Sequence, residues 1–192
     1  MNAALVFLKR LRHCRGFGIQ SPSDFAFVNE VVYERMPYYA YGELDMRYEG
    51  ESLLNRKIAR LLFRVANFAQ PSTIILPDST PPLFADHIRA ARTSAVVLSA
   101  ITGKGQVSAD DRTFSSEGVS LTYADSIAAL PSSYRDGDCI IVPDIYTTGR
   151  EQWLQLTTDR SRHHLILFDL YYVGIAFVRE RRYPELHIVN FY

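Results

Sequence analysis

The first seventy residues alternate apolar and polar positions with the spacing of helices. Residues 2–12 place leucines on one stripe and basic residues on another, which predicts a short amphipathic helix. Ser21, followed by Pro22, favours the start of a second helix that runs to about residue 35. The apolar residues over 52–69 keep a period of about 3.6 and predict a third, longer helix.

From residue 71 onward, short apolar runs alternate with helical or polar segments. Helices are predicted over about 82–92, 127–130 and 150–156. The last three apolar runs lie close together, which favours an antiparallel end to the sheet. The predicted strands are 73–76, 95–98, 119–123, 138–142, 164–168, 175–178 and 186–191. The pattern therefore predicts an α/β fold, with an open, mostly parallel sheet, antiparallel C-terminal strands and helices on both faces.

The length of 192 residues suits a single domain. We expect residues 1–70 to form a helical extension that packs on the sheet formed by residues 71–192. The polar, glycine-bearing stretch 101–118 predicts a long loop.

Composition excludes several classes of protein. The net charge is zero, which argues against a nucleic-acid binder. No stretch approaches the roughly 20 apolar residues of a membrane span. Cys14 and Cys139 lie far apart without CxxC spacing, which offers no zinc ligand set and fits a reducing cytoplasm. The five histidines are scattered, so no metal site is expected.

Three segments carry recognisable motifs: residues 15–25 read RGFGIQSPSDF, residues 139–146 read CIIVPDIY, and residues 169–179 read DLYYVGIAFVR. In that order, they resemble the HGIHSPF, VIIFDDIHW and DLFxMGIVFFR elements of a class I S-adenosylmethionine-dependent methyltransferase family of Bacteroidetes-type bacteria. Trp153 also falls where the family carries a tryptophan. The resemblance implies a Rossmann-like sheet of methyltransferase type with seven strands, a reversed last strand, and S-adenosylmethionine as cofactor. The chain is shorter than such a domain, and a strand-and-helix unit is expected to be missing or compressed between residues 119 and 139.

The segments that would hold this cofactor differ from the family pattern. The resemblance implies a glycine-rich turn after the first strand and an acidic residue at the end of the second. In this chain the glycine positions fall on Asp78 and Pro82, and the acidic position falls on Ser99. The polar residues Asp78, Ser79, Thr80 and Ser99 are therefore the candidate cofactor-binding residues. The alternative is structural, with Thr80 capping a helix that has a proline at its first position.

Candidate catalytic residues follow the fourth predicted strand. The resemblance places Asp144 and Tyr146 at the mouth of the cleft on the substrate side, and capping of the strand end is the alternative for Asp144. Asp169 is expected to orient the edge of the sheet. No nucleophile with an adjacent base is identifiable, and methyl transfer from an activated donor does not require one.

Two functions stay open. The first is a methyltransferase-like protein that is degenerate in its cofactor site, binds no cofactor, and acts as a binding or assembly module for an unknown small molecule or protein. The second is an active methyltransferase with a remodelled pocket and an unknown acceptor. Tyrosines of the N-terminal region suggest a surface for a homo-oligomer. They are Tyr33, Tyr38, Tyr39, Tyr41 and Tyr48.

Overall fold

The structure is a computed structural model, and it describes residues 3–100, 118–130, 133–146, 149–158 and 164–191. The loop predicted over 101–118 lies outside the described residues, apart from Gly118. None of the helices in the described ranges is both long enough and apolar enough to cross a membrane.

The N-terminal region is helical, as its apolar spacing predicts. The Ser21 hydroxyl accepts a hydrogen bond from the Asp24 N–H (3.4 Å), and the second helix begins at Pro22. This helix continues as a π-helical turn over Val28–Val32 and ends there, three residues before the predicted end. A kinked 3-10 segment, Leu11–Gly16, links the first helix to the second. The helices are α1 (Ala3–Lys9), α2 (Pro22–Phe27), α3 (Tyr41–Arg47) and α4 (Leu53–Ala69).

The remaining residues form the predicted α/β unit. Helix α5 (Pro82–Ala91) lies between the first two strands, and helix α6 (Arg150–Gln155) lies between the fourth and the fifth. All seven predicted strands form, and they share one sheet. The strands are β1 (Thr73–Pro77), β2 (Val96–Ala100), β3 (Ser120–Tyr123), β4 (Cys139–Pro143), β5 (Leu165–Asp169), β6 (Val173–Val178) and β7 (Glu185–Ile188).

The strand order is β2-β1-β3-β4-β6-β5-β7, and only β6 runs against the other six strands of this sheet. Because the turn from β5 to β6 is short, the two strands must pair as an antiparallel hairpin. Strand β7 then pairs parallel with the far edge of β5. The mostly parallel sheet with an antiparallel C-terminal part is therefore confirmed. The reversed strand is the sixth, however, and not the last as the resemblance implies.

The missing or compressed strand-and-helix unit was expected in the connection from β3 to β4. These strands are parallel neighbours in the sheet, so no strand separates them. The described residues of the connection hold a 3-10 turn, Ile127–Ala129, in place of a longer helix. A missing or compressed strand-and-helix unit, relative to the family that the chain resembles, stays a prediction.

Apolar side chains of the strands alternate between two cores, one on each face of the sheet. Ile141 and Phe168 point into the larger core, together with α4, α5 and the π-helical turn. Ile140 and Leu167 point into the smaller core, which Trp153 of α6 fills. Helices therefore cover both faces, and the N-terminal helices form part of the larger core.

The N-terminal tyrosines mostly pack within the chain. The rings of Tyr38 and Tyr41 lie 5.0 Å and 5.2 Å from the ring of Phe63. Tyr48 donates a hydrogen bond to Asp86 (2.7 Å), and Tyr33 donates one to a backbone carbonyl near the C-terminus. Tyr39, in contrast, is 84 % exposed. All five tyrosines thus have structural contacts, since Tyr39 also donates a hydrogen bond to the Ala90 carbonyl (3.4 Å). Self-association through this region stays a prediction.

Candidate functional site

The carboxyl ends of the parallel strands bring all the predicted site residues to one edge of the sheet. The chain leaves β1 toward β2 on one side and later returns to β3 on the other side of β1. Such a reversal of strand order opens a crevice at the carboxyl ends, which is where ligands bind in open α/β sheets. The crevice here lies between the ends of β1 and β3.

Hydrogen bonds between side chains join the residues that surround this crevice. The Ser99 hydroxyl, at the end of β2, donates to the carboxylate of Asp78, which follows β1. The Ser79 hydroxyl donates to the carboxylate of Asp125, which follows β3. The ends of three neighbouring strands are thus tied together by four polar side chains, of which Asp125 is half-buried and the other three are exposed. Asp125 was not among the predicted residues, although its place just after a strand could have indicated it.

Thr80 does not have the capping role that its sequence position suggests. Helix α5 begins at Pro82, and Pro81 occupies the N-cap position and has no side chain that could cap. The Thr80 side chain is buried, and its hydroxyl has no hydrogen-bond partner among the described residues. The capping alternative is therefore wrong, because the helix starts one residue later than that alternative requires.

The start of α5 offers few donors to an anionic ligand. Pro81 and Pro82 carry no N–H group, and the amides of Phe84 and Ala85 already donate to the Pro81 carbonyl (2.9 Å and 3.0 Å). Among the first amides of the helix, this leaves the N–H of Leu83. Glycine-rich turns bind phosphates or carboxylates through several such groups. The crevice therefore lacks the backbone surface on which that mode of binding depends.

Asp144 and Tyr146 follow β4 at the same edge. Asp144 adopts a left-handed backbone conformation (φ 52°), and its N–H donates to the Tyr172 carbonyl (2.6 Å). Its side chain is exposed. Two strand spacings, or about 10 Å, separate its strand from that of Asp78. Asp144 thus shapes the end of the strand through its backbone and presents a carboxylate beside the crevice.

Tyr146 belongs to an aromatic and cationic cluster. Its ring stacks on the ring of Tyr171, with centroids 3.9 Å apart and planes inclined by 31°. The guanidinium group of Arg10 lies 5.2 Å from the Tyr171 ring, and that of Arg150 lies 5.6 Å from the Tyr146 ring. Burial, and then the neighbouring Tyr146, raises the pKa of the Tyr171 phenol. Tyr171 is therefore a neutral hydrogen-bonding group near neutral pH.

Asp169 holds this cluster in place, in agreement with the structural role expected of it. Its carboxylate is fully buried and forms ion pairs with Arg10 (2.8 Å) and Arg150. It also accepts a hydrogen bond from the Tyr171 N–H (2.9 Å). Arg10 donates in addition to the carbonyls of Asp169 (3.0 Å) and Val189 (3.3 Å). One carboxylate thus joins the end of α1, the start of α6 and the turn between β5 and β6.

A second buried carboxylate ties α2 to β7, away from the crevice residues. Asp24 binds Arg182 (2.6 Å and 2.7 Å) and His187 (2.8 Å). Burial alone would raise the pKa of Asp24, but the hydrogen bonds from His187 and Arg182 hold it well below its usual range. The side chains of Asp24, Glu185 and His187 place atoms that could bind a metal ion within 4.8 Å of one another. The guanidinium of Arg182 already supplies the positive charge there, since it pairs with both carboxylates.

Comparison with protein-family models gives no match for this chain, and no curated protein matches it either. The site must therefore be interpreted from its own geometry.

Proposed function

We propose that this chain is a divergent member of the class I S-adenosylmethionine-dependent methyltransferase family that it resembles, and that its crevice has lost the usual cofactor. In this proposal the protein acts in the cytoplasm as a binding or assembly module for a small molecule or a protein. The seven-stranded sheet with one reversed strand is compatible with a methyltransferase type of fold.

The hydrogen bonds within the crevice carry this proposal. The ribose hydroxyls of the cofactor need a carboxylate at the end of β2, but the residue there is Ser99, and its hydroxyl is engaged with Asp78. The carboxylate of Asp125 is engaged with Ser79 in the same way. A ligand would have to replace both hydrogen bonds, and a polar group that loses its partner without replacement costs about 1–3 kcal/mol.

Calorimetric titration of the full chain with S-adenosylmethionine and with S-adenosylhomocysteine tests the proposal. We expect no binding heat at cofactor concentrations in the micromolar range. Saturable binding of either compound with a low-micromolar Kd would contradict it.

The second candidate is an active methyltransferase with a remodelled pocket, because the same residues are at least partly exposed at a position where ligands bind. Asp78, Ser79, Ser99 and Asp125 would then serve as polar substitutes, with Asp144 beside the acceptor. This function predicts that Asp78→Ala weakens cofactor binding. Asp136→Ala is the matched control, because that carboxylate is also exposed but lies before the amino end of β4. Equal binding by both variants and the wild type would exclude a role for Asp78.

A further inference from the structure

A cleft of about 700 Å³ lies away from the crevice, between the N-terminal helices and the end of the chain. Its walls are the segment that follows the π-helical turn, helix α3, helix α4 from Leu53 to Arg64, and Phe191. No residue of the crevice contributes to it, so the two sites can be tested separately. The volume lies within the range of about 300–1,000 Å³ that small-molecule sites occupy.

Positive charge dominates the lining of this cleft. Helix α4 contributes Arg56, Arg60 and Arg64, which recur at intervals of four residues and so share one face of the helix. Lys57 lies beside them, and Arg35 contributes from the opposite wall. Like charges at this spacing destabilise a helix, so the stripe carries an energetic cost that an anion would remove.

The carboxylates of the cleft do not balance these charges. Five cationic side chains line it, against the two carboxylates of Glu34 and Asp45. Asp45 pairs with Arg60, whereas Glu34 accepts hydrogen bonds from the backbone N–H groups of Arg35 and Met36 (both 2.7 Å). The Arg64 guanidinium donates to the carbonyls of Val31 and Val32, which are neutral acceptors (2.6 Å and 3.1 Å). Among the described residues, the lining therefore has more cationic than anionic side chains.

Two arginine donors of the lining also lack acceptors. The Nε atoms of Arg56 and Arg60 are buried, and neither has a hydrogen-bond partner among the described residues. Buried donors are nearly always satisfied in folded proteins, so two of them in one cleft indicate a missing acceptor. Burial, followed by the charges of Arg64 and Arg35, lowers the pKa of Lys57.

We propose that this cleft binds a small molecule that carries two or more phosphate groups. Phosphate oxygens accept charge-assisted hydrogen bonds from arginine, often two at a time, and would satisfy the stripe of α4. A polyphosphate matches an excess of several positive charges better than a single carboxylate does. Lys57, whose ammonium lies 4.8 Å from the ring of Phe191, marks the end of the cleft at the C-terminal segment.

Inorganic triphosphate and pyrophosphate are the probes, and calorimetry with thermal unfolding of the full chain is the measurement. We expect saturable binding that raises the melting temperature of the wild type. The variant Arg56→Gln/Lys57→Gln should bind about tenfold more weakly or worse, since it removes two charged donors.

The matched control is Lys9→Gln/Arg12→Gln, which removes the same two charges from the exposed side chains of the N-terminal segment. Its affinity for triphosphate should equal that of the wild type. Lys57→Gln alone provides a second variant if the double variant unfolds. The proposal is overturned if triphosphate does not bind at millimolar concentration, or if both double variants weaken binding equally. It is also overturned if a single-stranded oligonucleotide binds through Arg56 and Lys57 more tightly than triphosphate does.

Discussion

The indole ring of Trp153 packs directly on Gly174, so a Cβ atom on that glycine would come within 2.6 Å of the ring. Trp153 is fully buried, and Gly174 lies in β6, where it pairs with Val142 on one side and Asp169 on the other. Neither the ring nor the strand has room to move, because both belong to the packed interior. The absence of a side chain at residue 174 is therefore what allows α6 to lie on the sheet.

The variant Gly174→Ala should be destabilised by about 1–3 kcal/mol, the usual cost of overpacking a core. Urea denaturation gives the free energy of unfolding. The control is Gly42→Ala in helix α3, where a Cβ would meet no atom within 4 Å. That change should leave stability unchanged or raise it by up to about 1 kcal/mol, because alanine favours a helix over glycine. Equal effects at the two positions would show that the Trp153 contact is unimportant.

Loss of the Asp169 carboxylate should be among the most damaging single changes. Asp169→Ala leaves Arg10 and Arg150 without their common partner, and removing one member of a buried ion pair costs about 3–5 kcal/mol. Glu43→Gln is the control, since it breaks an exposed pair with Arg47 on α3 and should cost at most about 0.5 kcal/mol. Chemical denaturation of both variants checks this. A cost below about 1 kcal/mol for Asp169→Ala would contradict the role of the cluster.

Acid should weaken the fold through Asp24. Its pKa in the folded state is lowered below the ordinary value of 3.8, so its ionised form is stabilised by folding. This contribution is fully present above the ordinary pKa and is lost as the pH falls through the lower, folded-state pKa. Asp24→Asn should therefore cost most at neutral pH and progressively less in acid. Free energies of unfolding between neutral pH and the acid limit of folding measure the difference, and a cost that does not change with pH would refute it.

If substitutions at the family's glycine and acidic positions removed cofactor binding, as proposed, then restoring those residues should restore it. The combined variant Asp78→Gly, Pro82→Gly and Ser99→Asp returns both glycine positions and the acidic residue that the resemblance implies. We expect this variant, unlike the wild type, to bind S-adenosylhomocysteine in calorimetry. A variant that folds yet shows no binding would mean that other parts of the crevice also exclude the cofactor.

The strands could be predicted well because each is a short apolar run, and central ones such as β4 (Cys139–Pro143) are buried on both sides. Helix α3 was missed because it has only seven residues and lies in a tyrosine-rich stretch with a glycine near its start. Packing stabilises this helix, since Tyr41 and Leu44 are buried. The local sequence pattern does not indicate that burial.

The candidate site was predictable in part for a related reason. Asp78, Ser99 and Asp144 could be placed because residues that follow parallel strands share one edge of the sheet. The pairing of Asp24 with His187 could not, because 163 residues separate them and their contact depends on how α2 packs on β7. The basic cleft could not be predicted for the same reason. The arginine stripe on α4 is visible in the sequence, but it resembles a solvent-exposed helix face unless the position of the opposite wall is known.

Strand β6 also constrains the order in which the sheet can be completed. It lies between β4 and β5, although both precede it in the chain. Strands β4 and β5 are therefore not neighbours in the sheet. During synthesis, β1 to β4 can pair as soon as they emerge, whereas β5 must wait for residues 173–178 before it joins them. Until that moment one edge of β4 and both edges of β5 stay unpaired, since β7 follows β6 in the chain. Such edges are prone to pair with other chains. The nascent chain is therefore most vulnerable to aggregation just before β6 closes the sheet.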